Sequence, residues 1–161
     1  RLTRHAGTLT EDWYLNMRDK TAITHEQWIE VIDIVISVAS VLRFAQLAGI
    51  DRPEFPTALD GEPSRQEQPS KPASHHWVPV VHLEDMTPEL EPFYQGLPVI
   101  APVIRALSSV PAAMETLSVL SNAQYIPNRE MIDLNWSRGT LSRRQMEFVA
   151  GRLSAHRECF Y

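Results

Sequence analysis

One cysteine, Cys159, is all the sulfhydryl this chain holds, so no disulfide can form within it and a disulfide-built scaffold is excluded. Thiol scarcity of that kind suits a reducing compartment, and the expected location is cytoplasmic. Basic residues are also in deficit: 15 Lys and Arg stand against 20 Asp and Glu, a formal charge of −5. A nucleic-acid binder usually shows the opposite balance, and the one adjacent basic pair, Arg143-Arg144, reads as a solvated helix start. Glycine-rich phosphate loops and a Gly-x-Ser-x-Gly elbow are missing. The six histidines (His5, His25, His75, His76, His82 and His156) form no metal-ligand spacing with one another or with Cys159, so no metal and no cofactor is expected. No apolar run approaches the ~18 residues of a membrane span. Residues 31–42 come nearest, but Asp33 inside the run and Arg43 after it favour a buried helix, and no membrane partner is expected.

What is present reads as helix. Hydrophobic residues make up 43% of the 161, enough for a packed core. Six of the twelve prolines fall in residues 51–79, where a fixed φ and a missing N–H break helix and sheet alike. Residues 57–75 are therefore expected to be a linker, with a helical piece on either side. Thr10 is placed to cap a short helix over about 11–19. Thr24, with Gln27 at the reciprocal position, opens a long one that Gly49 and Pro53 end. Along it Trp28, Val31, Ile32, Val35, Val38, Ala39 and Leu42 recur at three- and four-residue spacing, and Ile29, Ile34, Ile36 and Val41 widen the stripe. A helix apolar nearly all round is expected to be buried, by its own fold or by another subunit.

Beyond the prolines, Trp77 to Val81 reads as an extended arm. Thr87 and Pro88 signal a helix start. A further helix is expected over roughly 111–124, a weaker one over about 128–137, and a last one capped by Ser142 and Gln145. Met146, Val149, Ala150 and Leu153 form the apolar face of the last helix. Strand signals are nearly absent, so the fold class is all-α.

Two residues are candidates for chemistry. Cys159 stands near a helix boundary with His156 and Arg157 close by, a setting that can lower a thiol pKa. A small buried inert side chain is the commoner reading of a lone cysteine. Glu147, twelve residues earlier, is either a surface carboxylate or a proton acceptor on a core-lining helix. Twelve residues of unbroken helix span about 18 Å, so contact between the two requires the helix to end near His156 and the chain to turn back.

The stretch Leu141-Ser-Arg-Arg-Gln-Met-Glu-Phe-Val-Ala-Gly-Arg-Leu-Ser-Ala-His-Arg-Glu-Cys-Phe-Tyr161 resembles the helix before the active site of alkylhydroperoxidase D-like proteins, in the carboxymuconolactone decarboxylase-like superfamily. Trp77 to Leu90 and Arg105 to Pro111 resemble the beginning of that domain in the peroxidase-related branch, and residues 1–55 more weakly resemble its tail. The resemblance implies parts of two tandem domains: the end of a first over 1–56, a Pro-rich linker over 57–75, and the start of a second over 76–161. A chain that begins at Arg1 rather than Met is accordingly expected to be a processed or excised piece. The resemblance further implies a helical, metal-free thiol peroxidase with a Cys-x-x-Cys site. Cys159 would be its first thiol, Phe160 and Tyr161 the spacer, and Glu147 the proton-relay carboxylate. The second cysteine and a histidine would follow Tyr161, and His156 would be only a neighbour. The implied partners are a small-molecule peroxide, a thiol reductant and further copies of the chain in a homo-oligomer. The alternatives are an acid–base enzyme of the decarboxylase type and a non-catalytic helical assembly module.

Overall fold

A computed structural model describes residues 2–57, 60–62, 65–94 and 100–159. Two helices lead the chain, α1 (Glu11–Thr21) and α2 (His25–Ala48). The short helices α3 (Glu91–Tyr94) and α4 (Pro102–Arg105) follow, then α5 (Pro111–Gln124). A two-stranded antiparallel hairpin, β1 (Ser137–Arg138) and β2 (Leu141–Ser142), leads into α6 (Arg143–His156). The described residues are thus mostly helical, with one small sheet.

The helix starts are where the caps put them. The Thr10 hydroxyl accepts from the Trp13 N–H at 3.1 Å. Thr24 and Gln27 form both halves of a capping box, as do Ser142 and Gln145. Gly49 ends α2 at φ 65°, in the left-handed region that a glycine enters at little cost.

Three expectations need correction. First, no helix runs over 128–137. Instead a 3-10 turn at Asn128–Glu130 is followed by an Asx turn, in which the Asn135 N–H donates to Asp133 Oδ1 at 2.9 Å, and then by the hairpin. Gly139 at φ 57° lets that hairpin close, and Arg138 turns back to donate to the Asn122, Ala123 and Tyr125 carbonyls at the C-terminus of α5. Second, Thr87 does not cap with its side chain. Its hydroxyl donates to Gln68 Oε1 at 2.7 Å, and only its carbonyl serves the next turn, so the α-helix begins later, at Glu91.

Third, of the two expected ways of covering α2, its own fold supplies little: within the chain only Trp28, Ile29 and Ala45 are buried, while Ile34, Phe44 and Leu47 are exposed. Its most apolar 18-residue window has a mean hydropathy of 1.8, and 6% of that window is buried. By length and composition α2 would span a bilayer, a property that core helices share. The expected apolar face of α6 behaves likewise, with Val149 and Leu153 exposed.

The core lies where α2 meets the later elements. Ile29 packs with Val81, Leu90, Tyr94, Leu107, Val110, Ala113 and Met114. Farther along the same contact, the Ser40 hydroxyl donates to Gln124 Oε1 of α5. The end of the proline-rich stretch is tied to this core as well. Lys71 pairs with Val80 through backbone hydrogen bonds of 2.9 Å in both directions, and its ammonium lies 2.6 Å from Asp85. Ala58, Leu59, Pro63 and Ser64 of the expected linker lie outside the described residues.

A second, smaller cluster joins α1 to the start of α2. Trp13 meets Trp28 edge-on at 5.9 Å, and Tyr14 lies 5.5 Å from Trp28. The Arg18 Nη1 sits 3.0 Å from His25 Nε2, and the Tyr14 hydroxyl 2.6 Å from His25 Nδ1. Guanidinium only donates, so Nε2 is the acceptor and the ring proton is on Nδ1. Burial, then the Arg18 charge, holds the His25 pKa below its ordinary value. A depressed histidine contributes stability that is present above its unfolded value of about 6.5 and is lost as pH falls through the folded value. The urea midpoint is therefore expected to drop on acidification below about pH 6.5, and His25→Gln should flatten that drop. A midpoint equally sensitive in the variant would assign the effect elsewhere.

Candidate functional site

Arg143 and Glu147 are one helical turn apart on α6, the spacing at which side chains meet. Arg143 Nε lies 2.7 Å from Glu147 Oε1. The Arg143 side chain is 9% exposed and that of Glu147 is 45% exposed, so the pair is buried at its cationic end only. The rest of the guanidinium faces the turn before the hairpin. Nη2 donates to the Met131 carbonyl at 2.9 Å, and Nη1 to the Glu130 and Asp133 carbonyls at 3.3 and 3.4 Å.

The other carboxylate oxygen of Glu147 accepts from the Tyr125 hydroxyl at 2.8 Å. Burial, the hydrogen bond to Glu147 and the carboxylate charge push the Tyr125 pKa up to about 12, so the phenol keeps its proton through neutral pH. Glu147 is therefore held from two sides, by a cation and by a neutral donor.

Tyr125 also borders a cleft of about 340 Å³ between α4, α5 and the Asn128–Met131 turn. Its walls are Phe93, Ala101, Val103, Ile104, Met114, Leu117 and Met131, with Ser118, Ser121 and Asn128 among them. A second hollow of about 420 Å³, lined by Arg18, Asp19, Ala22, Ile23, Thr24, His25 and Glu26, lies at the α1–α2 corner.

Cys159 lies beyond the opposite end of α6. The helix runs unbroken from Arg143 to His156, so Glu147 and the last helical residue are separated by about 14 Å at 1.5 Å per residue. The chain does turn there: Glu158 takes φ 56° and the Cys159 N–H donates to the Ser154 carbonyl at 3.0 Å. That turn reaches back only to the last turn of the helix. Cys159 is exposed, as is its neighbour His156. The N-terminal turn packs against this end. Arg157 donates to the Thr3 carbonyl, and a Cβ on Gly7 would stand 2.5 Å from the Glu158 carboxylate. Phe160 and Tyr161, the expected spacer, lie outside the described residues.

The fold thus sets the two candidate residues at opposite ends of one helix and gives Glu147 two partners, Tyr125 and Arg143, that the sequence reading did not name. Arg143 was within reach of such a reading, because it stands four residues from a carboxylate. Tyr125 was not, being 22 positions away on another element. Among the described residues no three or more His, Cys, Asp or Glu side chains are placed to hold a metal ion. Comparisons with family models, with curated proteins and with solved structures find no match to this chain.

Proposed function

We propose that the chain is an alkylhydroperoxidase-like thiol oxidoreductase, with the helical fold and tandem-domain organisation of that family and a cytoplasmic location. The reading rests on the sequence resemblance at 141–161. The observation that supports it is an exposed thiol, Cys159, just beyond the C-terminus of α6, the helix that carries the Glu147 carboxylate. The Cys159 thiolate attacks the peroxide's terminal oxygen and the O–O bond breaks. With one proton taken up, the products are the alcohol and a sulfenic acid at Cys159. An external dithiol then reduces the sulfenic acid to the thiol, giving water and its own disulfide. Glu147 is the proton-relay carboxylate. Direct transfer to the sulfur needs hydrogen-bond contact, so over about 14 Å of helix the relay runs through water or a second copy.

A homo-oligomer belongs to the same reading. The chain exposes 11713 Å² at 18.3 kDa, against roughly 8,100 Å² for an ordinary monomer of that mass. Exposed residues 49–57, 60–62 and 65–67 supply part of that excess, and the exposed apolar face of α2 another part. The exposed apolar faces of α2 and α6 also favour a second reading, a helical assembly module without catalysis.

A peroxidase assay with a dithiol reductant separates the two. The thiol reading expects peroxide-dependent reductant oxidation that Cys159→Ser abolishes. Turnover unchanged in Cys159→Ser removes that residue from the mechanism, and an inert but stable oligomer favours the assembly module.

A further inference from the structure

The cleft beside Tyr125 is walled by side chains without charge. Its hydrogen-bonding inventory is small and incompletely used. Asn128 Nδ2 donates to Ser118 Oγ at 3.4 Å. The Ser118 hydroxyl hydrogen then has no acceptor among the described residues, and the Asn128 carboxamide oxygen has no donor. Turning the carboxamide round exchanges these roles and still leaves a donor and an acceptor side by side. Ser121 is committed differently, donating to the Ile126 carbonyl at 3.4 Å. Arg143 and Glu147, which reach the cleft's edge through Tyr125, are occupied with each other and with it.

We propose that this cleft binds a neutral, largely hydrocarbon small molecule carrying one hydroxyl or amide group, with that group seated on Ser118 and Asn128. The volume of about 340 Å³ accommodates roughly a dozen water-sized groups at ~30 Å³ each. That size and lining match small-molecule sites in general, which are concave, mostly apolar and oriented by a few polar groups. A charged ligand is disfavoured, because the walls offer it no counter-charge to offset lost hydration. The ligand's polar group would satisfy both members of the Ser118–Asn128 pair, donating to one and accepting from the other. The inference involves neither Cys159 nor peroxide chemistry, so it stands or falls apart from the function proposed above.

The test is a titration of the full chain at neutral pH with three bicyclic probes of similar size, followed through the methionine methyl resonances in an NMR spectrum. 1-Naphthol is neutral with one hydroxyl, naphthalene lacks the hydroxyl, and 1-naphthoate is charged. Saturable shifts at Met114 and Met131 are expected with 1-naphthol, and binding of 1-naphthoate should be about tenfold weaker or less. Ser118→Ala should weaken 1-naphthol about fivefold, the loss of one hydrogen bond, and leave naphthalene unchanged. Absence of saturable shifts at those methyls with 1-naphthol overturns the proposal. Equal affinity for the naphthoate, or indifference of 1-naphthol to Ser118→Ala, overturns the recognition scheme with it.

Discussion

Replacing Arg143 by methionine is expected to cost about 2–3 kcal/mol of stability, more than any other single change at the end of α6 that faces the hairpin. Arg143 is the one buried residue of α6, and it joins that helix to the turn before the hairpin through three carbonyls and to Glu147 through an ion pair. Removing one member of a buried ion pair typically costs about 3–5 kcal/mol, because the other charge is left without a partner. Here the figure is lower, since Glu147 is 45% exposed and water takes up its charge. What water cannot replace is the cross-link between α6 and the Glu130–Asp133 turn. Glu147→Gln should therefore be mild, below about 1 kcal/mol, because it leaves the three carbonyl contacts in place. Arg143→Lys should fall between the two, as an ammonium cannot reproduce the planar fork. Urea denaturation of the three variants gives the order. An Arg143→Met protein as stable as its parent would show that the turn is held by something other than this side chain.

The second large effect concerns α2. Ile29→Ala is expected to cost about 2–4 kcal/mol, the range for deleting a buried aliphatic side chain and leaving a cavity. Ile29 is 1% exposed and is the α2 residue buried in the main core, with Ile32 packed against that core beside it. Ile34, five positions on and of identical chemistry, is 62% exposed, and Ile34→Ala should change the stability of the isolated chain by no more than about 0.5 kcal/mol. The contrast also reports on assembly. If Ile34→Ala matches Ile29→Ala, and its cost grows with protein concentration, the exposed face of α2 is covered by another copy. Equal and concentration-independent costs would mean that α2 packs differently within the chain.

How much of this was legible beforehand varied with the distance over which each feature is determined. α5, Pro111–Gln124, lies where a helix over roughly 111–124 was expected. There Pro111 occupies the first helical turn, where its missing N–H has no intrahelical partner to lose. The segment 128–137 shows the opposite case. It carries apolar residues at passable helical spacing, yet Asp133 bonds the backbone two residues on and Gly139 turns the chain. Short-range side-chain bonds outcompeted a weak helical pattern there. At the candidate site, the residue types at 147 and 159 were readable and their separation was calculable. The donor on the far side of Glu147 was not, because Tyr125 arrives from the end of another helix.

By itself the sequence determined where α1, α2 and α6 begin and where α2 ends. A cap acts on backbone groups three or four residues away, so Thr10, Thr24, Gly49 and Ser142 state their roles locally. Which side of a helix becomes interior was decided only by the tertiary structure. An apolar stripe declares that a surface can be buried, and burial needs a second surface opposite it. Ile29 found Val81, Leu90 and Met114, while Ile34, Phe44 and Leu47 found solvent. The clamp on Glu147 and the cleft beside it arose the same way, from elements far apart in the chain that meet only after it has folded.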